Sequence, residues 1–195
     1  YLIEALKFYY DKLVNLYSDT PHITPINALV GAAIGKAKFF YIDPDIAQEM
    51  DGDGPSNLWA HGQGSLLREC IIKEIKSNSF RGESYQGNIP RYINSIKSVD
   101  LDMTSLLGIC ETYQINSLDF FLVLDVQGIE ILILQQIPSL PVPPSFVMCE
   151  VDQSATDTDR ASLLELMSSI GYVKLASDTS DAIFCLPRSF SMSTR

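Results

Sequence analysis

Four positions in this chain put an acid or an amide where an apolar run stops. They are Glu4 after "YLI", Asn27 after "TPI", Asp125 after "FFLVL" and Glu150 after "FVMC". A carboxylate at the end of a buried strand is costly unless something needs it there. In a parallel-type α/β sheet, ligands bind at the carboxyl ends of the strands, so these groups mark one expected pocket. Asp125 and Glu150 are also the pair that would hold a divalent cation, except that no His stands beside them; no metal site is expected. Trp59 and His61 lie in the Gly-rich stretch "DGDGPSNLWAHGQGS". A ring and an imidazole in such a loop would suit the covering of a sugar-like substrate, or a single Trp could anchor the loop. Each residue has a plainer use: Glu4 at a helix start, Asn27 in a turn, Asp125 as a cap for a helix beginning near Ile129.

The elements that must carry these groups can be read from the pattern. "YLIE" is a strand end, and "LKFYYDKLVNLY" (6–17) has helical spacing. A short strand ends near Asn27, and "AKFFYI" (37–42) is a second, antiparallel to its neighbour. Residues 43–65 form a long loop by composition, with 51–64 lying over the strand ends. The segment 66–89 fits helix or strand equally. "INSIKSVDLD" is a strand, followed by a helix behind Asp102. Phe120–Val126 is expected to be a strand buried on both faces, with Gly128 turning the chain into the next helix. After the Pro-rich "IPSLPVPPS" come the strand "FVMCEV", a helix stopped at Gly171, and the hairpin "YVKLAS"/"AIFCLP". Strand and helix alternate and the core runs are unbroken, which predicts an α/β fold with a mostly parallel, doubly covered sheet and an antiparallel C-terminal strand pair.

Composition narrows the class. A chain of 195 residues with 46% apolar content fits one domain, 1–195, with a sizeable core. The net charge of −10 and the lack of a Lys/Arg cluster exclude nucleic acid as a partner. No run is long enough for a membrane span. The four cysteines are widely spaced without a CxxC pair, and Cys149 and Cys185, inside apolar runs, read as buried thiols that point to the reducing cytoplasm.

Around these residues the chain resembles the FkbM family of S-adenosylmethionine-dependent methyltransferases, whose fourth-strand pattern is "hDhhKhDVEGAE" (h, apolar). Here "SVDLDMTSLL" (98–107) precedes "INSLDFFLVLDVQGIEILIL" (115–134). "YLIEALKFYYDKL" is similar to "YAFEPNPENFEKL", and "INALVGAAIGKAKFFYID" (26–43) to "NAAVGDKEGEVEFYV". "GQGSLL" (62–67) resembles "GSSSLL", and "FVMCEV" resembles "IIIEVH". The resemblance spans nearly the whole chain, in order.

It implies a Rossmann-like methyltransferase fold that uses S-adenosylmethionine to methylate a hydroxyl of a saccharide or another secondary metabolite. Glu4 would accept hydrogen bonds from the cofactor ribose hydroxyls, and Asn27, Ala28 and Leu29 would form the adenine-side turn. Asp125 would face the transferred methyl group as base or as positioning group, with Glu150 as the second candidate base. Trp59, His61 and Gln127 would meet the substrate. The chain departs from the family at Gln127, where the pattern has Glu and where an amide cannot act as a base, and at Asp152, where it has His. It also lacks the family's "DhGANhG" motif and the first strand that carries it, so the chain reads as an N-terminally incomplete domain. Strand 119–126 would then have an open edge, which gives the chain a route to homo-oligomers. The competing expectation is a non-catalytic Rossmann-like domain of a larger protein that has lost cofactor binding. A nucleotide-binding oxidoreductase finds no GxGxxG in the chain.

Overall fold

The computed structural model describes residues 1–51, 62–77, 83–115, 120–150, 157–178 and 181–187. The chain opens with β1 (Leu2–Glu4) and α1 (Lys7–Leu16), then β2 (Pro25–Asn27), β3 (Leu29–Val30) and β4 (Gly35–Ile42). Next come α2 (Pro44–Asp51), β5 (Gly64–Ser65), α3 (Arg68–Ser77), α4 (Glu83–Asn94), β6 (Ile96–Thr104) and α5 (Leu106–Thr112). The last part holds β7 (Phe121–Leu124), α6 (Glu130–Leu134), β8 (Phe146–Glu150), α7 (Asp157–Ser169), β9 (Val173–Ser177) and β10 (Asp181–Cys185).

The fold is α/β, and its sheets are mixed. They run β1-β2, β3-β6-β4-β5 and β7-β8-β10-β9. The pairs β1–β2, β3–β6 and β7–β8 are parallel, while β4 is antiparallel to β6 and β5, and β10 to β8 and β9. The expected antiparallel pair at the C-terminus is present. The antiparallel β4 has a local cause: only residues 31–34 separate it from β3, too few for the helical crossover a parallel return requires. Ala28 alone divides β2 from β3, and its N–H bonds to Glu4 O at 3.1 Å. There the chain leaves β1 and takes up β6.

The larger core gathers Leu124, Val147, Cys149 and Phe184 from the β7–β10 sheet with Ile133 and Met167 from α6 and α7. A smaller one joins Ile42 of β4 to Ala47, Ile71, Ile75 and Tyr92. Gln136 ties the β3–β4 turn to this frame: its Oε1 accepts from Leu106 N (2.9 Å) and its Nε2 donates to Gly31 O (2.8 Å).

Three expectations need correction. The strand expected over Phe120–Val126 is Phe121–Leu124, and it is not buried on both faces. Leu124 is buried, but Phe121 and Val123 are 68% and 66% exposed; Phe121 stacks only sideways, on its register partner Phe146, with ring centroids 4.7 Å apart. Residues 44–51 are helical rather than loop. Asp43 accepts from Asp45 N (3.1 Å) and Pro44 opens the first turn, both start signals. Lys97 pairs with Asp43 and holds its carboxyl below the usual range, so the start is anchored to β6. Finally, α5 starts behind Ser105, whose Oγ accepts from Gly108 N (2.9 Å), while Asp102 stays in β6 and pairs with Lys36. The ambiguous 66–89 contributes α3 and the start of α4. No helix among the described residues is long and apolar enough to cross a membrane.

Candidate functional site

The ends of β1 and β7 meet at one cleft. Its walls include Ile3 and Glu4 from β1, Leu29 and Val30 from β3, and Asp125 and Val126 just past β7. It encloses about 110 Å³, or about 580 Å³ with the open mouth counted. Two of the four strand-end groups singled out by sequence, Glu4 and Asp125, therefore share a cavity.

Glu4 sits where β1 turns into α1. Its Oε1 accepts from Leu6 N at 2.8 Å, which serves the helix start. Burial raises its carboxyl above the usual range, and the N–H groups of Leu6 and Ala5 work against that. Asn27, its register partner on β2, is exposed. The Asn27 amide donates to Glu4 O (2.9 Å) and Ala5 O (3.1 Å), so it ties β2 to the end of β1. Leu29 is buried in the cleft wall; Asn27 and Ala28 do not line it.

On the other side, the chain past β7 makes a tight left-handed turn, with φ of 53° at Gln127 and 105° at Gly128. A Cβ on Gly128 would come within 2.6 Å of Cys70 Sγ, so both the angle and the space favour glycine. Glu130 closes the turn by accepting from Val126 N (3.2 Å) and Gly128 N (3.0 Å). Burial raises the Glu130 carboxyl, against those backbone donors. The turn brings the Gln127 amide between two acids: Nε2 donates to Asp125 Oδ1 (3.0 Å) and to Glu150 Oε2 (2.8 Å). Glu150 ends β8, and the parallel β7–β8 register brings the two acids together. Burial pushes the Glu150 carboxyl up to about 8, with Asp125, Glu130 and Glu74 adding like charge. Glu150 thus keeps its proton at neutral pH beside Asp125, the arrangement of a pair that can give or take one proton.

Sequence reasoning missed two cleft residues. Tyr9 of α1 and Gln63 before β5 both line the cleft, and Tyr9 Oη and Gln63 Oε1 are buried without a hydrogen-bond partner. Burial, then Glu4 and Asp43, raise the Tyr9 hydroxyl, which stays protonated. In the helical spacing of 6–17 Tyr9 counts only as one of the apolar positions, and nothing there singles out its hydroxyl. Trp59, His61 and Asp152 lie outside the described residues. Among the described residues no three His, Cys, Asp or Glu side chains are grouped to hold a metal. The four cysteines form no disulfide, and burial pushes the Cys149 thiol up to about 12. No family model, no curated protein and no solved structure matches this chain.

Proposed function

We propose that the chain is a Rossmann-like S-adenosylmethionine-dependent O-methyltransferase domain acting on a hydroxyl of a saccharide or another secondary metabolite. The observation that carries this reading is the meeting of Glu4 and Asp125, at the ends of two strands of parallel pairs, in one cleft. Strand order supports it as well. Among the described residues β1 pairs only with β2 and β7 only with β8. A single parallel strand seated between those two edges would join both sheets into one layer, with β10 as its antiparallel member.

The cleft offers groups that suit the cofactor. Glu4 would hold the ribose hydroxyls, Leu29 would back the adenine, and the unpartnered Gln63 Oε1 and Tyr9 Oη would meet further polar atoms. When bound, the cofactor supplies a sulfonium methyl group. The chain's own task is to orient the acceptor hydroxyl and remove its proton. Asp125 is exposed at the mouth and is the receiving carboxylate; Glu150 shares its proton behind it.

One observation favours the second reading, a non-catalytic domain of a larger protein. The enclosed 110 Å³ is below the range of about 300–1,000 Å³ common for ligand sites. Titration calorimetry with S-adenosylhomocysteine separates the two. In a version that carries the glycine-rich first motif, binding should be measurable, and Glu4→Ala should weaken it by about 1–3 kcal/mol, the loss of a charged hydrogen-bond acceptor; the 195 residues alone should bind poorly. No binding to the motif-bearing version supports the second reading, and equal affinities remove Glu4 from the site.

A further inference from the structure

We propose that Gln127 is a positioning residue whose side-chain amide holds Asp125 and Glu150 together, so that the two carboxyls act as a single acid–base unit at the cleft. The proposal rests on the cleft being a place where a proton moves, not on the identity of the group transferred.

The geometry leaves the amide one orientation. Its nitrogen carries two hydrogens, and both are used, one on Asp125 Oδ1 (3.0 Å) and one on Glu150 Oε2 (2.8 Å). Turned over, the amide would aim its carbonyl oxygen at the Asp125 carboxylate oxygen. The backbone beneath it is fixed as well. Gln127 O accepts from Ser65 Oγ at 2.7 Å, Ser65 is fully buried, and the same Oγ accepts from Leu67 N at 3.0 Å. A side chain with a Cβ is thus kept at φ 53°, a left-handed conformation that glycine adopts without strain.

The surrounding charge gives such a clasp its role when Glu150 ionises. The groups acting on Glu150 are acids on every side: Asp125 and Glu130 past β7, and Glu74 on α3. Asp181 faces it across the β8–β10 register. Asp125 is exposed; the protonated Glu150 carboxyl bonds to it directly, and once Glu150 gives up that proton like charge would part the two if nothing else held them. A neutral donor reaching both oxygens keeps the pair closed without adding charge.

The test is a carbon NMR titration of the side-chain carboxyls on the full chain, which reads proton occupancy rather than turnover. Gln127→Gly is the informative variant, because it removes the amide while relieving the left-handed backbone, so folding should survive. Loss of the amide donor by itself raises the Glu150 midpoint, but parting from Asp125 should lower it by more, for a net fall of about one pH unit. Asp125→Asn should lower it similarly, and adding Gln127→Gly to Asp125→Asn should lower it no further. An unchanged or raised midpoint in Gln127→Gly overturns the proposal. A further fall in the double variant overturns it too, since Gln127 would then act independently of Asp125. Failure to bind S-adenosylhomocysteine would defeat the methyltransferase reading and leave this titration result standing.

Discussion

Replacing Glu150 with glutamine should flatten the dependence of stability on pH. In the folded chain the Glu150 carboxyl titrates at about 8, against 4.5 for the unperturbed group. Between those values the unfolded chain has released a proton that the folded chain still holds. Stability from this group is therefore fully present below 4.5 and is lost as pH rises through 8. At about 1.36 kcal/mol per pH unit the whole interval would be worth about 5 kcal/mol. Glu150 is only half-buried, and solvent screening reduces that to about 2 kcal/mol. Glutamine is nearly the same size, still accepts from Gln127 and has nothing to titrate. Urea unfolding at pH 5 and pH 9 measures the difference, with about 2 kcal/mol corresponding to a midpoint change of about 1 M. The unsubstituted chain should lose that much more than Glu150→Gln on going to pH 9. Parallel losses in the two proteins would refute the reasoning and assign the raised carboxyl to another residue.

Two further substitutions test the packing. Phe184→Ala, which empties a fully buried position on β10, should cost about 3–5 kcal/mol in urea unfolding, while Phe121→Ala on the uncovered face should cost less than about 1 kcal/mol. Gly128→Ala should be destabilised by about 1–3 kcal/mol, because its φ of 105° and the nearby Cys70 Sγ both resist a Cβ; thermal melting at one pH is sufficient to measure it.

The course of the chain was legible where pattern and punctuation agree. The helices at 7–16 and 157–169, the strand at 146–150 and the C-terminal hairpin follow their apolar spacing and the stop at Gly171. The uncovered face of β7 was not legible, because "FFLVL" is apolar at every position and alternation cannot say which side lacks a partner layer. α2 was missed because "DPDIAQEMD" is mostly polar, although Asp43 and Pro44 gave the helix start. The strand-end rule brought Asp125 and Glu150 together correctly. It does not display the tie that Asn27 makes, whose amide nitrogen reaches from β2 to Glu4 O and Ala5 O at the end of β1. Gln127 looked like a loss of function in the sequence. Its bridging role depends on a left-handed φ and on the β7–β8 register, neither of which a single chain position displays.

Gln136 gives the cleft a strut of fixed length. One wall runs through Leu29 and Val30 into Gly31, and the opposite wall runs from Asp125 through Ile129 into α6, which ends just before Gln136. The amide is bonded at Gly31 and at Leu106, which lie together at the β3–β6 end, and its nitrogen also reaches Leu132 O of α6 at 3.3 Å. The distance from the end of α6 to the β3–β6 end is therefore held by the reach of one side chain as well as by the packing of α6 in the core. An asparagine there is about 1.5 Å shorter; the walls must draw together by that amount or let one end of the strut go.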